Sequence, residues 1–453
     1  MKIVLTTHQF LPYSSAGTEV LTLETAKELK RRGHDVEVWT GHPADADTAQ
    51  SKPIDHYEYD GLKVHRYNQN YKVFSPNRDM MEFEYNSLAF RGYFTEYVKK
   101  EKPDIVHFFH LLRLSASAVE VCLDNNIPCV FTPTDFWMIC QTCQLRLPDN
   151  SLCLGPDPEG INCCRHLASQ FSGGRGRYAS RLPHSVFKFF IRAAGFRWWP
   201  ERNYSRILRA TSFRKDFIME RINRVDRVLA PTRFMEKTLI QNGVDPGIID
   251  FMPYGLNMKA FEKKAPKKPS ERLRVGFIGT LSEHKGAHLL IEAVKLLPQE
   301  MPVEVKIYGD LSLFPDYTEK IKRMAEGDSR IEFPGQFPNE KIGEVFAGID
   351  VLVVPSIWYE NTPLVIYSAF AASTPVIATN LGGMSEVVSH GVNGLLFEKG
   401  DARGLSALLK RCVEESGLLE KLSGNVLPPK SMPRYADELE EVYGDVLKKR
   451  RKI

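Results

Sequence analysis

The stretch from Val351 to Thr379, VLVVPSIWYENTPLVIYSAFAASTPVIAT, admits few folds. Its two β-branched apolar runs, Val351–Pro355 and Pro375–Thr379, read as parallel strands buried on both faces, and Pro363–Ala372 between them reads as their crossover helix. The result is a βαβ unit. Thr362 is expected to be the N-cap and Pro363 the first helical residue, because a hydroxyl accepts an orphan amide and proline needs no amide partner. A helix start at the carboxyl end of a strand collects free amides and the positive end of a dipole, which favour a diphosphate. Glu360, just before it, could accept hydrogen bonds from sugar hydroxyls, so the pattern suits a nucleotide sugar.

At 453 residues the chain is long enough for two full α/β domains. Strand–helix alternation occurs twice over, which predicts two doubly wound, Rossmann-like domains facing across a cleft. The expected bounds are 1–258 for the first domain, with an insertion at about 138–222. A polar, lysine- and proline-bearing linker follows at 259–272, then the second domain at 273–430 and a charged C-terminal helix in 431–453. A formal net charge of +4 is small for this length, and no RNA-binding motif is present, so nucleic acid is not an expected partner. Met1–Leu5 enters a strand without a charged leader, and no apolar run reaches membrane-spanning length. The expected location is the cytoplasm, at or near the inner face of a membrane.

Along the first domain, Ser14–Glu19 reads as a small-residue loop entering a helix that stops at Gly33, and Gly17 there would let backbone amides approach a phosphate or sugar. Asp45-Ala46-Asp47 reads as a solvated loop rather than a metal motif. Asp104–Phe109 and Cys129–Asp135 read as strands. Five of the eight cysteines fall between Cys140 and Cys164. Cys140, Cys143, Cys153 and one of Cys163 or Cys164 could close a tetrahedral structural zinc site, against the alternative of reduced, unliganded thiols. From Arg165 to Arg227 fifteen Lys/Arg stand against four Asp/Glu, interleaved with Phe187, Phe189, Phe190, Phe196, Trp198 and Trp199. That composition fits a peripheral contact with anionic lipid headgroups, or an insertion whose aromatics form its own core.

Pro355, Ser356, Glu360, Asn361, Pro363, Leu364, Thr374–Pro375, Gly382–Gly383 and Glu386 together resemble the donor-site signature of family 4 retaining glycosyltransferases, group 1, of GT-B fold. The resemblance implies transfer of a sugar, a hexose, from a UDP- or GDP-sugar to a hydroxyl acceptor in cell-surface polysaccharide, glycolipid or other glycoconjugate synthesis. No catalytic cofactor is implied. It assigns Glu360 to the donor sugar, Lys285 with the helix start at Thr362, Pro363 and Leu364 to the diphosphate, and His110 to the sugar from the first domain. Thr280 and Ser368 stand where the family carries a basic residue and a second, ribose-binding glutamate. Ser373 replaces a usual glycine. Glu19 and Asp135 fall on the acceptor side, and the C-terminal helix would cross back to the first domain. The rival reading is a non-catalytic donor-binding or assembly subunit, favoured by Ser368, Thr280 and Thr134.

Overall fold

The computed structural model describes residues 1–43, 52–69, 80–171, 182–195, 203–262, 267 and 270–450. The chain divides into two units: Met1–Pro231, Met235–Pro253 and the segment from Ala436 onward form the first, and Thr232–Phe234 with Tyr254–Tyr435 form the second. Asp45–Asp47, Phe196, Trp198 and Trp199 lie outside the described residues.

The first unit carries an eight-stranded sheet in the order β3-β4-β2-β1-β5-β6-β7-β8. Its strands are β1 Lys2–Thr7, β2 Asp35–Pro43, β3 Ile54–Tyr59, β4 Leu62–Gln69, β5 Ile105–Phe108, β6 Cys129–Phe131, β7 Arg227–Ala230 and β8 Ile249–Phe251. All neighbours are parallel except β3 and β4, an antiparallel hairpin. Its turn is Asp60-Gly61, both in the left-handed region at φ 50° and 74°. An Asp-Gly pair between alternating apolar residues is a strong hairpin signal, so this edge was readable from sequence although the pattern above does not include it. The strand expected to run on to Asp135 stops at Phe131, and Thr132–Cys140 becomes a loop over the sheet's carboxyl edge.

The second unit carries an all-parallel sheet in the order β11-β10-β9-β12-β13-β14. Here β9 is Leu273–Ile278, β10 Val303–Tyr308, β11 Ile331–Gly335, β12 Val351–Val354, β13 Val376–Thr379 and β14 Gly394–Phe397. Every residue of β12 and β13 is buried, as the unbroken apolar runs require of strands covered on both faces. Val351 and Val353 join the core on one face, while Leu352 and Val354 join the core on the other.

In each sheet the strand order reverses once. The reversal lies between β1 and β5 in the first unit and between β9 and β12 in the second. At such a point the two following loops diverge and leave a crevice at the strand carboxyl ends.

The helix Met432–Arg450 contributes its part from Ala436 to the first unit. There the Tyr443 hydroxyl meets Nδ1 of His107 at 2.6 Å, Glu440 pairs with Arg32 and His34, and Arg450 pairs with Asp226.

Candidate functional site

In the second unit the crevice between β9 and β12 holds Lys285 and Glu360. Lys285 ends a short 3₁₀ turn, Glu283–Lys285, and Gly286 follows at φ +76°. A Cβ on Gly286 would stand 2.0 Å from the carbonyl oxygen of Pro355, so only glycine lets this turn press against the end of β12. Glu360 is 5% exposed. Its Oε1 accepts from Lys285 Nζ at 2.7 Å, Ser356 Oγ at 2.8 Å and Trp358 Nε1 at 2.8 Å. Burial alone would raise this carboxyl's pKa; the Lys285 charge and the three donors outweigh it and hold the group below the ordinary carboxylate range. The Lys285 ammonium also lies 5.3 Å from the centre of the Trp358 ring.

The glycine pair locks the loop that presents Glu360. Gly383 N–H donates to the Glu360 carbonyl at 3.0 Å, and a Cβ on Gly383 would fall 1.5 Å from the Asn361 carbonyl oxygen. Asn361 is buried and donates to the Tyr254 hydroxyl at 2.9 Å.

The helix after this loop begins one residue later than expected. Pro363 is its N-cap at φ −60°, ψ 122°, with no side-chain cap, and the helix runs Leu364–Ala371. Thr362 is therefore no cap: the loop held by Gly383 keeps Pro363 extended, and helical dihedrals start only at Leu364. Ile366 N–H is taken by the Pro363 carbonyl at 2.9 Å, and the amides of Leu364 and Val365 are left to solvent or a ligand.

Ser368 is buried within this helix and turns its Oγ back onto the Leu364 carbonyl at 3.1 Å. It points its hydroxyl at its own helix, not into the crevice. Thr280 is half-buried just beyond β9. Ser373 takes φ +55°, the left-handed conformation that explains why glycine suits that place.

In the first unit a second polar group gathers where β1 and β5 end. His110 is 2% exposed. Its Nδ1 accepts from Leu112 N–H at 3.0 Å, so Nε2 carries the proton and donates to Asp135 Oδ2 at 2.8 Å. Asp135 Oδ1 accepts from Trp137 N–H at 2.7 Å. The His8 ring lies 4.3 Å from that of His110, centre to centre, and His8 Nε2 lies 3.6 Å from Glu19 Oε1. Burial raises the Glu19 pKa and lowers that of His8. Gly17 is exposed at the first position of the helix Gly17–Arg31.

The structure thus brings together His110, Asp135 and Glu19 in one unit, and Lys285 and Glu360 in the other. His107, by contrast, is sealed in the core between Tyr443 and Thr132, the latter 2.7 Å from Nε2. Sequence reasoning missed His8 and Trp358. Both follow a strand flanking the reversal of its sheet, but that signal exists only once strand order is known.

The five clustered cysteines do not act as one set. Cys143 Sγ lies with His110 and Asp135, their ligand atoms within 4.8 Å of one another. Cys164 is buried against Ile161 and Phe187, with its sulfur directed at the Leu208 carbonyl. Neither faces the small cavity lined by Cys140, Cys153 and Cys163. Cys163 and Cys164 are consecutive in the helix Ile161–Phe171 and so point about 100° apart, which sends them to different surroundings.

Two doubly wound units, each with polar groups at the switch point of its sheet, define a glycosyltransferase fold of GT-B class. Sucrose-phosphate synthase from Thermosynechococcus elongatus shares the fold with a TM-score of 0.67 at 17% identity over 99% of both chains. Anabaena HepE in complex with UDP and glucose does so with a TM-score of 0.61 at 17% identity, over 98% of this chain and 99% of that one.

Residues 16–255 match the glycosyl transferase 4-like domain and residues 258–427 match glycosyl transferases group 1; the chain belongs to the family 4, group 1 glycosyltransferases. Among curated relatives, the amylovoran biosynthesis glycosyltransferase AmsK of Erwinia amylovora is 27% identical over 41% of this chain and 46% of its own. A D-inositol 3-phosphate glycosyltransferase of Corynebacterium urealyticum is 30% identical over 37% of this chain and 42% of its own. The chain spans about half the length of the curated relatives it matches.

Proposed function

We propose that this chain transfers a hexose from a UDP- or GDP-sugar to a hydroxyl of a glycan or lipid-linked acceptor, with retention at the anomeric carbon. The carrying observation is the Lys285–Glu360 pair beside the uncapped start of the helix Leu364–Ala371. In this reading a lysine with three N–H groups keeps one on Glu360 and turns another to the diphosphate, while the first helical amides take a second phosphate oxygen. These groups stabilise the charge that grows on the leaving diphosphate, and no further cofactor is invoked. Glu360, ionised and fixed by three donors, offers its remaining lone pairs to the sugar hydroxyls. Asp135 and Glu19 are assigned to the acceptor side, and His110 to the sugar.

The UDP held by HepE and the polysaccharide role in the name of AmsK support a nucleotide-sugar donor and a glycan acceptor. Calorimetric titration with UDP and with GDP is expected to show micromolar binding of one of them. Turnover of the matching sugar donor, followed by NMR, should give a product with the donor's anomeric configuration. No binding of either nucleotide at millimolar concentration, or an inverted product, overturns the reading.

The helix His184–Gly195 supports contact with an anionic bilayer. Phe187 is turned inward, whereas Phe189 and Phe190 are 62% and 39% exposed. Lys188 and Arg192 both pair with Glu159, at 2.7 and 3.2 Å, which leaves one net positive charge beside the two exposed rings. Among the described residues no helix is long and apolar enough to cross a membrane. Flotation with vesicles containing phosphatidylglycerol is expected to carry the wild type upward. Phe189→Ser with Phe190→Ser should cut that binding about tenfold or more, given ~1.5–3 kcal/mol for each buried phenylalanine. Equal flotation of both proteins would refute the contact.

A further inference from the structure

We propose that Cys140, Cys153, Cys163 and His166 bind one structural zinc ion in the first unit. The inference is independent of the donor reading. All four residues line one cavity of about 10 Å³, with Ile139, Leu145 and Arg146 among its other walls. That volume admits a single ion or water and excludes an organic ligand.

The four side chains arrive from three local pieces. Cys140 closes the loop after β6. Cys153 sits on the outgoing arm of a small hairpin, whose bonds Leu147 N to Ser151 O and Cys153 N to Leu145 O measure 2.9 and 2.8 Å. Cys163 and His166 stand three residues apart in the first half of the helix Ile161–Phe171, which puts them on one face. Asp157 holds the start of that helix by accepting from Ile161 N–H at 2.7 Å.

The surroundings suit a bound thiolate. The Cys153 sulfur accepts from Gly155 N–H at 3.4 Å and from Asn162 Nδ2 at 3.7 Å, outer hydrogen bonds of the kind a metal-bound thiolate uses, while its S–H donates to the Gly155 carbonyl at 3.3 Å, a bond that metal binding would give up. Binding converts three thiols to thiolates and releases three protons, leaving Zn(Cys)₃His with a net charge of −1, and the Arg146 guanidinium at the cavity wall opposes that charge. No three of the four ligand atoms lie within 4.8 Å of one another, so metal binding would draw them in by side-chain rotation, to Zn–S of ~2.3 Å and Zn–N of ~2.0 Å.

The trio His110, Asp135 and Cys143 is tighter but is not the metal site. Both ring nitrogens of His110 are engaged, and Nε2 bears the proton given to Asp135.

Zinc in the cavity would staple a loop with little core of its own. That loop includes the turn that holds Asp135 and Trp137, closed by Cys140 N–H to the Phe136 carbonyl at 2.8 Å.

The test is metal analysis of untagged protein, by mass spectrometry and by chromogenic release with a mercurial. One zinc per chain is expected. Cys153→Ser and Cys163→Ser should each lower it at least tenfold, while Cys143→Ser and Cys164→Ala keep it. Should the first two variants fail to fold, the wild type grown with cobalt decides: tetrahedral d–d bands with thiolate charge-transfer absorption support the site. Zinc below a tenth of an equivalent after growth in zinc, octahedral cobalt, or a full equivalent in folded Cys153→Ser overturns it.

Discussion

Lys285→Ala is expected to weaken nucleoside diphosphate binding about tenfold to a hundredfold and to lower turnover about 10²–10³-fold. The two losses have different sources. Binding loses one charge-assisted contact to phosphate. Turnover also loses the charge that stabilises the leaving diphosphate and the bond that aims Glu360. Without Lys285 the buried Glu360 keeps the hydrogen bonds from Ser356 Oγ and Trp358 Nε1, and burial, which raises its pKa, meets less opposition. The acid limb of the pH–rate profile should therefore move toward neutral pH in the variant. Glu360→Gln should behave differently, with turnover down about 10²-fold while UDP or GDP affinity stays close to wild type, because in the proposed arrangement the carboxylate is assigned to the sugar and not to the phosphates. Calorimetry and initial rates across pH 5–9 distinguish these outcomes. A Lys285→Ala protein that binds its nucleotide as tightly as wild type would remove Lys285 from the phosphate site.

A second large effect is expected from His107. Burial holds its pKa down to about 3, and the neutral ring bridges the Tyr443 hydroxyl and Thr132 Oγ1. In the unfolded chain the same imidazole titrates near 6.5. The unfolded state therefore binds the proton more readily. The stability gained is complete above about pH 6.5 and is lost as pH falls from 6.5 toward 3, at up to roughly 1.4 kcal/mol per pH unit. Protonation would also loosen the hold of the C-terminal helix on β5, through Tyr443. Urea unfolding at pH 7.5, 6 and 5, read by tryptophan fluorescence in a Trp358→Phe background, reports on the first unit. His107→Gln, which cannot titrate, should be less stable at pH 7.5 yet lose less stability on acidification. Parallel losses in the two proteins would rule out His107 as a source of the acid sensitivity.

The parts of the fold that were legible share a physical origin. A strand covered on both faces must be apolar throughout, so β12 and β13 announce themselves in VLVV and VIAT. Gly33 likewise marks the end of the first helix, taking φ +89°. Legibility fell where a local preference met a tertiary contact. Thr362-Pro363 carries a good cap by composition, yet Gly383 packed on Asn361 keeps the loop extended and shifts the helix start by one residue. Cys140-x-x-Cys143 looks like a pair, yet the turn between them sends one sulfur to the small cavity and the other toward Asp135.

By itself the sequence determined the class of fold, the parallel strands that make up most of the two sheets, and the family, because burial patterns and a donor-site motif are written in residue order. Only the tertiary structure decided which residues share a site. Lys285 meets Glu360, and His110 meets Asp135, because β9 adjoins β12 in one sheet and β5 adjoins β6 in the other. The cavity set of Cys140, Cys153, Cys163 and His166 depends on side-chain direction, which spacing along the chain does not encode.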